Sequence, residues 1–147
     1  MNNNNLKDFL IRAKKATYAG KGIETVPSRP NSHDFEYQED DLKYIDTYLG
    51  GLSFSGEEAV WKDNKAIWSM NYFGRVIGKG FDGDFLKEAL MNVSKDNPYR
   101  GLDGYKRDDY KYICDVNGSF EWFIGFEEIY KEDIKIYECR FHGGVLK

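Results

Sequence analysis

The sequence is short of cysteine, histidine and proline, with two, two and three of them among 147 residues. The cysteines, Cys114 and Cys139, form no CxxC pair, and no group of Cys and His has the spacing of a zinc site. The sequence therefore contains neither a metal motif nor a disulfide framework, and it predicts two reduced, buried thiols. We expect no metal and no cofactor.

Long apolar runs and an excess of basic charge are missing too. No apolar run approaches the roughly 18 residues that a membrane span requires. The first residues, Met-Asn-Asn-Asn-Asn, lack the apolar segment of a secretory signal, so we expect a cytoplasmic protein with no membrane partner. Lys and Arg number 21 against 25 Asp and Glu, a formal net charge of -4. Because nucleic-acid binding requires a basic surface, this balance argues against nucleic acid as a partner of this chain alone.

Aromatic residues, in contrast, are abundant: eleven Tyr, ten Phe and three Trp. Such residues favour strands, because they pack well on a pleated surface. A chain of this length suits one domain with a sizeable core. We expect a disordered tail at residues 1–4 and a single domain at residues 5–147.

Two segments have helical periodicity. The first begins with Asn5 as a candidate N-cap, and its apolar residues recur at i, i+3, i+4 and i+7. The second covers about residues 84–93, with Asp82 or Asp84 as its cap and an apolar face for burial.

Alternating patterns predict about six strands, at residues 42–49, 53–61, 65–76, 110–116, 119–124 and 134–141. Asp63-Asn64 and Asn117-Gly118 are candidate two-residue turns, so position i opposes 127 minus i in the first hairpin and 235 minus i in the second. We therefore predict an α+β fold: a twisted, mainly antiparallel sheet of about six strands built from hairpins, with two helices packed on one face.

Several stretches resemble a bacterial family of domains of unknown function of about this length. The resemblance covers nearly the whole chain, and its motifs include Tyr44-Ile45-Asp46-Thr47, Met70-Asn71-Tyr72-Phe73-Gly74-Arg75-Val76, Pro98-Tyr99-Arg100-Gly101 and Phe141-His142-Gly143-Gly144. Some members are joined to a helix-turn-helix DNA-binding domain of the phage-repressor type, which implies a sensor or partner-binding role for the domain in those proteins. The 147 residues include no such DNA-binding domain, which weakens a regulatory expectation here, and the resemblance supplies no catalytic residue.

Eight polar residues form the candidate ligand-binding set, which is Asp46, Glu57, Glu58, Asn71, Tyr72, Arg75, Arg100 and His142. On one interpretation several of them converge at one mouth of the sheet, where the arginines bind an anionic group and the aromatics line a concave pocket. On the other, they form structural ion pairs and loop caps. Adjacent strand residues point to opposite faces, so Glu57 and Glu58 cannot both serve the site.

The leading functional hypothesis is a non-enzymatic small-molecule-binding or sensor-like domain, and a Tyr- and Trp-lined pocket would suit a planar or sugar-like ligand. The second hypothesis is a protein-protein interaction module that acts through a sheet face or as a homodimer. The third is a hydrolase-type enzyme that uses a carboxylate with His142 or Arg75. No catalytic residue is assigned.

Overall fold

A computed structural model describes residues 1–147. The helices and strands, in chain order, are α1 (Asn3–Ala16), β1 (His33–Glu39), β2 (Leu42–Gly50), β3 (Ser53–Lys62), β4 (Lys65–Val76), α2 (Gly83–Met91), β5 (Lys106–Arg107), β6 (Tyr110–Ser119), β7 (Trp122–Lys131) and β8 (Ile134–Val145).

All eight strands belong to one antiparallel sheet with the order β1-β2-β3-β4-β8-β7-β6-β5. The prediction of an α+β fold with about six strands and two helices packed on one face is therefore wrong. The molecule is mostly sheet, and its two helices are small, with 14 and 9 residues. The additional strands are β1, a seven-residue edge strand, and β5, which has two residues.

The β3–β4 hairpin turns at the predicted residues. Asp63 and Asn64 have φ values of 49° and 64°, the left-handed conformations of a type I′ turn. The register shifts by one between Val60 and Trp61, so Glu58 lies opposite Met70 and not opposite Ser69. This irregularity is a β-bulge, which sequence alternation does not reveal.

The predicted register of the second hairpin is wrong. Asn117 and Gly118 lie within β6, and the turn falls at residues 120–121, so that Ser119 pairs with Trp122. The physical reason is Phe120, which is buried and stacks on Trp68 with 5.6 Å between ring centroids. Burying this ring outweighs the turn preference of Asn-Gly, because a buried aromatic side chain contributes a few kcal/mol.

The core is a single cluster of 25 buried hydrophobic residues drawn from both helices and from the sheet. We call the face of the sheet that meets this core the inner face; on β4 it carries Trp68, Met70 and Tyr72. The opposite face, here the outer face, carries Phe73 and Arg75 of the same strand. Alternation along each strand thus separates two surfaces with different chemistry.

Polar side chains cap the N-termini of both helices. Helix α1 begins at Asn3 and is capped by the side chain of Asn2, in place of the predicted Asn5. Helix α2 is capped by Asp82, one of its two predicted candidates. Neither helix has the length and the apolar composition needed to cross a membrane.

Cys114 and Cys139 are free and buried, which confirms the prediction of two reduced, buried thiols. Burial raises the pKa of each thiol to about 12, so neither is a reactive thiolate.

Candidate functional site

A cavity of about 300 Å³ opens at the inner face of the sheet. Its aromatic lining consists of Tyr18, Tyr48, Phe54, Tyr72 and Phe81. Its two charged residues of opposite sign are Asp46 and Arg100. A volume of this size lies at the lower end of the range for small-molecule sites, which are mostly apolar with a few convergent polar groups.

Strand β2 supplies part of the cavity wall by simple alternation. Tyr44, Asp46 and Tyr48 are two residues apart, so all three point to the inner face. Tyr72 comes from β4, beyond the intervening strand β3, and its hydroxyl donates a hydrogen bond of 2.5 Å to Oδ1 of Asp46.

Gly56 of β3 makes this hydrogen bond possible. It pairs with Tyr48 on one side and with Tyr72 on the other. A Cβ atom on Gly56 would lie 2.5 Å from the Tyr72 hydroxyl and 2.7 Å from the backbone oxygen of Thr47. The glycine therefore lets the Tyr72 side chain cross β3 and reach Asp46.

We expect Gly56→Ala to destabilise the domain by about 1–3 kcal/mol, because the added methyl group displaces the Tyr72 ring or the backbone of β2. The control is Gly51→Ala, because a Cβ there meets no atom within 4 Å; its effect should stay within about 1 kcal/mol. Urea denaturation measures both. Equal stability of the two variants would show that the position of the Tyr72 ring does not depend on the absence of a side chain at residue 56.

Arg100 and Glu127 form the most deeply buried ion pair. Nη2 and Nε of Arg100 donate to the two carboxylate oxygens of Glu127 at 2.6 Å and 3.1 Å. The hydroxyls of Tyr112 and Tyr137 donate to the same carboxylate. Burial alone would raise the pKa of Glu127, but the charge of Arg100 and these hydrogen bonds outweigh it and lower the pKa below its usual value.

Lys14 and Glu58 form a second buried ion pair beside the first. Nζ of Lys14 donates to Glu58 at 2.7 Å and to the backbone oxygen of Tyr99 at 2.7 Å. The Tyr44 hydroxyl also donates to Glu58. Nη1 of Arg100 lies 3.9 Å from Glu58, which joins the two pairs in one network. Each buried cation thus has a carboxylate partner.

Asp46 is the carboxylate of this network that lacks such a partner. It is 6% exposed, its one side-chain hydrogen bond comes from Tyr72, and it forms no salt bridge. Burial, followed by the charge of Glu58, raises its pKa to about 7. With Asp46 ionised, three buried carboxylates face two buried cations, and the network carries one uncompensated negative charge.

Tyr18 and Tyr48 offer free hydroxyl groups to the cavity. Their rings meet edge to face with 6.0 Å between centroids, and neither hydroxyl has a hydrogen-bond partner in the protein. His33 stacks on Tyr48 at 4.7 Å, and its Nδ1 lies 2.7 Å from Oε1 of Glu24. Burial raises the pKa of Tyr48 to about 12, so its hydroxyl stays protonated. These groups can exchange hydrogen bonds with an occupant.

The profile of a family described as a domain of unknown function, DUF5680, matches residues 46–146 of this chain. The chain belongs to the DUF5680 family. The match confirms the resemblance to a domain of unknown function, and it describes neither the source of the chain nor a linked DNA-binding domain. No curated protein and no solved structure matches the chain.

The matched region of the DUF5680 domain holds most of the cavity chemistry. Asp46, Tyr72 and Arg100 fall inside it. Tyr18 and His33, which complete the wall, precede it.

Four of the eight predicted site residues of the DUF5680 domain come together in the core, and these are Asp46, Glu58, Tyr72 and Arg100. Asp46 and Arg100 line the cavity with Tyr72, and Glu58 lies behind Asp46 as its partner in the β2–β3 register. Glu58, rather than Glu57, is therefore the glutamate on the cavity side.

The other four lie on the outer face. Glu57, Asn71 and His142 pair in register across β3, β4 and β8, away from the cavity. Arg75 is exposed and pairs with Glu138 at 2.8 Å. The combination of a cavity carboxylate with His142 or Arg75, on which the hydrolase hypothesis rested, is not formed in this DUF5680 domain.

Several cavity and network residues were not predicted. Lys14 follows Leu10 by four positions and shares its buried face, a spacing that indicates a buried lysine, but the helix dipole equally accounts for a lysine near a helix C-terminus. Glu127 lies in β7, beyond residue 124, at which the predicted strand ended. Tyr48 shares the face of Asp46, so alternation along β2 was sufficient to find it.

Proposed function

We propose that this DUF5680 domain binds a small organic molecule in the cavity and is not itself an enzyme. The observation that carries the proposal is the cavity of about 300 Å³, in which aromatic walls surround one buried carboxylate and two free tyrosine hydroxyls. A largely apolar, preformed space with few convergent polar groups is typical of small-molecule sites.

A sensor-like role would follow from the position of the cavity in the chain. Tyr18 and His33, which both line it, stand at the two ends of the segment between α1 and β1. This segment contains no helix or strand of its own apart from one isolated bridge, Thr25 to Asp34. An occupant that contacts both ends would restrain the segment, and this provides a way for binding to change the surface of the domain.

A screen of planar and sugar-like fragments by thermal shift and two-dimensional NMR tests the binding proposal. We expect bound fragments to raise the melting temperature by mass action and to shift the amide signals of Tyr48 and Phe54. Val76→Phe, which places a ring in the cavity wall, should abolish these responses.

The matched control is Arg75→Ala, because Arg75 precedes Val76 in β4 but points to the outer face. It should bind the same fragments as the wild type. The proposal fails if no fragment shifts the cavity signals, or if Val76→Phe responds as the wild type does.

The outer face supports a second candidate function, an interaction surface. Trp122 and Ile124 of β7 are 84% and 63% exposed, and Phe73 of β4, on the other side of β8, is 58% exposed on the same face. Large exposed apolar residues that share one face of a sheet are typical of interfaces. We propose that they pair two copies of the domain.

Light scattering after size-exclusion chromatography tests this pairing. We expect a dimer for the wild type and a monomer for Trp122→Ser. A monomeric wild type at high protein concentration would contradict the proposal.

A further inference from the structure

We infer that the cavity selects an organic cation: a protonated amine with an apolar or aromatic body, whose ammonium group pairs with the free carboxylate oxygen of Asp46. This inference rests on the proposed function, because it names the chemical class of the molecule that the same cavity binds.

The first step is the pairing of the buried charges. Arg100 is held by both oxygens of Glu127 and lies 3.9 Å from Glu58, and Lys14 is held by Glu58. Each cation already has a carboxylate partner, so an anionic ligand would add a further negative charge to a network in which three buried carboxylates face two buried cations. Asp46 has one hydrogen bond and no cation. The charge that the cavity lacks is therefore positive.

The second step is the shape of the wall. The rings of Tyr18 and Tyr48 form one edge-to-face pair, and those of Phe54 and Tyr72 form a tilted pair with 6.0 Å between centroids. Aromatic faces attract cations through their quadrupole. Two of these rings already have a cation of the protein over them, Arg100 at 5.2 Å from Tyr72 and Lys87 at 4.8 Å from Tyr18, whereas Tyr48 and Phe54 have none. The free hydroxyls of Tyr18 and Tyr48 add acceptors for an ammonium N–H. The faces of these rings, which carry the negative part of the quadrupole, do not attract an anion.

The third step is the dependence of ligand affinity on the protonation state of Asp46. Asp46 must be ionised to pair with an ammonium, and its pKa of about 7 means that at mildly acidic pH it holds a proton instead. Affinity should therefore rise as pH increases from 5 to 8. The titratable or charged groups around Asp46 are Lys14, Tyr18, His33, Tyr44, Tyr48, Glu58, Tyr72 and Arg100.

Calorimetry with three probes of similar shape tests the inference: 2-phenylethylammonium, neutral 2-phenylethanol and anionic phenylacetate. At pH 8 we expect the cation to bind the wild type about tenfold or more tightly than the alcohol, because a charge-assisted hydrogen bond replaces a neutral one. Asp46→Asn should remove this preference and the rise of affinity with pH, whereas Glu57→Gln, which removes a carboxylate from the outer face, should retain both.

The outcomes separate the inference from the proposed function. If 2-phenylethanol or phenylacetate binds in the cavity as tightly as the cation, the inference is overturned and small-molecule binding stands. If none of the three probes binds, and the fragment screen also finds no ligand, both are overturned. If Asp46→Asn keeps the preference for the cation, Asp46 is not the residue that recognises it. The comparison of probes on the wild type requires no variant, so it holds even if Asp46→Asn folds poorly.

Discussion

Replacing Arg100 by methionine is expected to destabilise the domain by about 3–5 kcal/mol. Methionine keeps most of the length of the side chain but removes the charge that faces Glu127, whose side chain is fully buried. Tyr112 and Tyr137 still donate to the carboxylate, but hydroxyls do not neutralise it. Denaturation by urea, followed by circular dichroism, measures the loss.

The matched control is Arg75→Met. Arg75 also pairs with a glutamate at hydrogen-bond distance, but its side chain is 58% exposed. An exposed pair of this kind contributes about 0–1 kcal/mol, so the control should be nearly neutral.

Neutralising Glu127 in the same protein tests the cause of the loss. The double variant Arg100→Met, Glu127→Gln should recover a large part of the stability, because no buried charge is then left without its partner. In the single variant the deficit should also shrink toward pH 4, where Glu127 can take up a proton. Equal losses for Arg100→Met and Arg75→Met would contradict the network.

The second large effect has the opposite sign: Asp46→Asn is expected to stabilise the domain at pH 8, by as much as about 4 kcal/mol. The pKa of Asp46 is raised from 3.8 to about 7 in the folded protein. Between these two values the folded state binds more protons than the unfolded state, so the stability of the wild type falls as pH rises through this window. Below pH 3.8 the penalty is absent, and above pH 7 it is complete.

The stability difference between Asp46→Asn and the wild type should therefore grow from about zero near pH 4 to its maximum near pH 8. Glu57→Gln is the control, since Glu57 lies one residue from the in-register partner of Asp46 but on the outer face, and its effect should not follow this profile. A pH-independent effect of Asp46→Asn, or a loss of stability at pH 8, would refute the assignment. A carboxylate that lowers stability fits a functional residue better than a structural one.

The sequence predicts well those parts of the fold that local patterns determine. Alternation from Leu42 to Tyr48 placed Asp46 correctly on the same side as Tyr44. Asp63-Asn64 located the first hairpin turn, because few residues tolerate two consecutive positive φ values.

Other parts depend on contacts between residues that are distant in sequence. The turn at Phe120 depends on the burial of its ring against Trp68, 52 positions earlier in the chain. The last turn uses Glu132 and Asp133 with positive φ values and contains no glycine. No local signal therefore indicated that β7 continues beyond residue 124 to Lys131. The two strands beyond the predicted six are β1 and β5, which lie at the two ends of the strand order.

The candidate site divides in the same way. That Glu57 and Glu58 point to opposite faces follows from strand geometry alone, but which of them faces the cavity depends on a β-bulge. Arg100 lies in a loop, and its pairing with Glu127 of β7 has no local signature. Arg75 and His142 have the residue types of a binding site, but alternation along β4 and β8 places them outside.

Titration of the Asp46 carboxyl carbon by NMR, with and without saturating 2-phenylethylammonium, tests the central claim most directly. We expect a pKa near 7 in the free protein and a clearly lower value in the complex, because the ammonium stabilises the ionised carboxylate. A carboxyl that titrates near 4 in the free protein, or whose pKa does not change on saturation with the amine, would contradict the claim that Asp46 is an unpaired carboxylate that binds an organic cation.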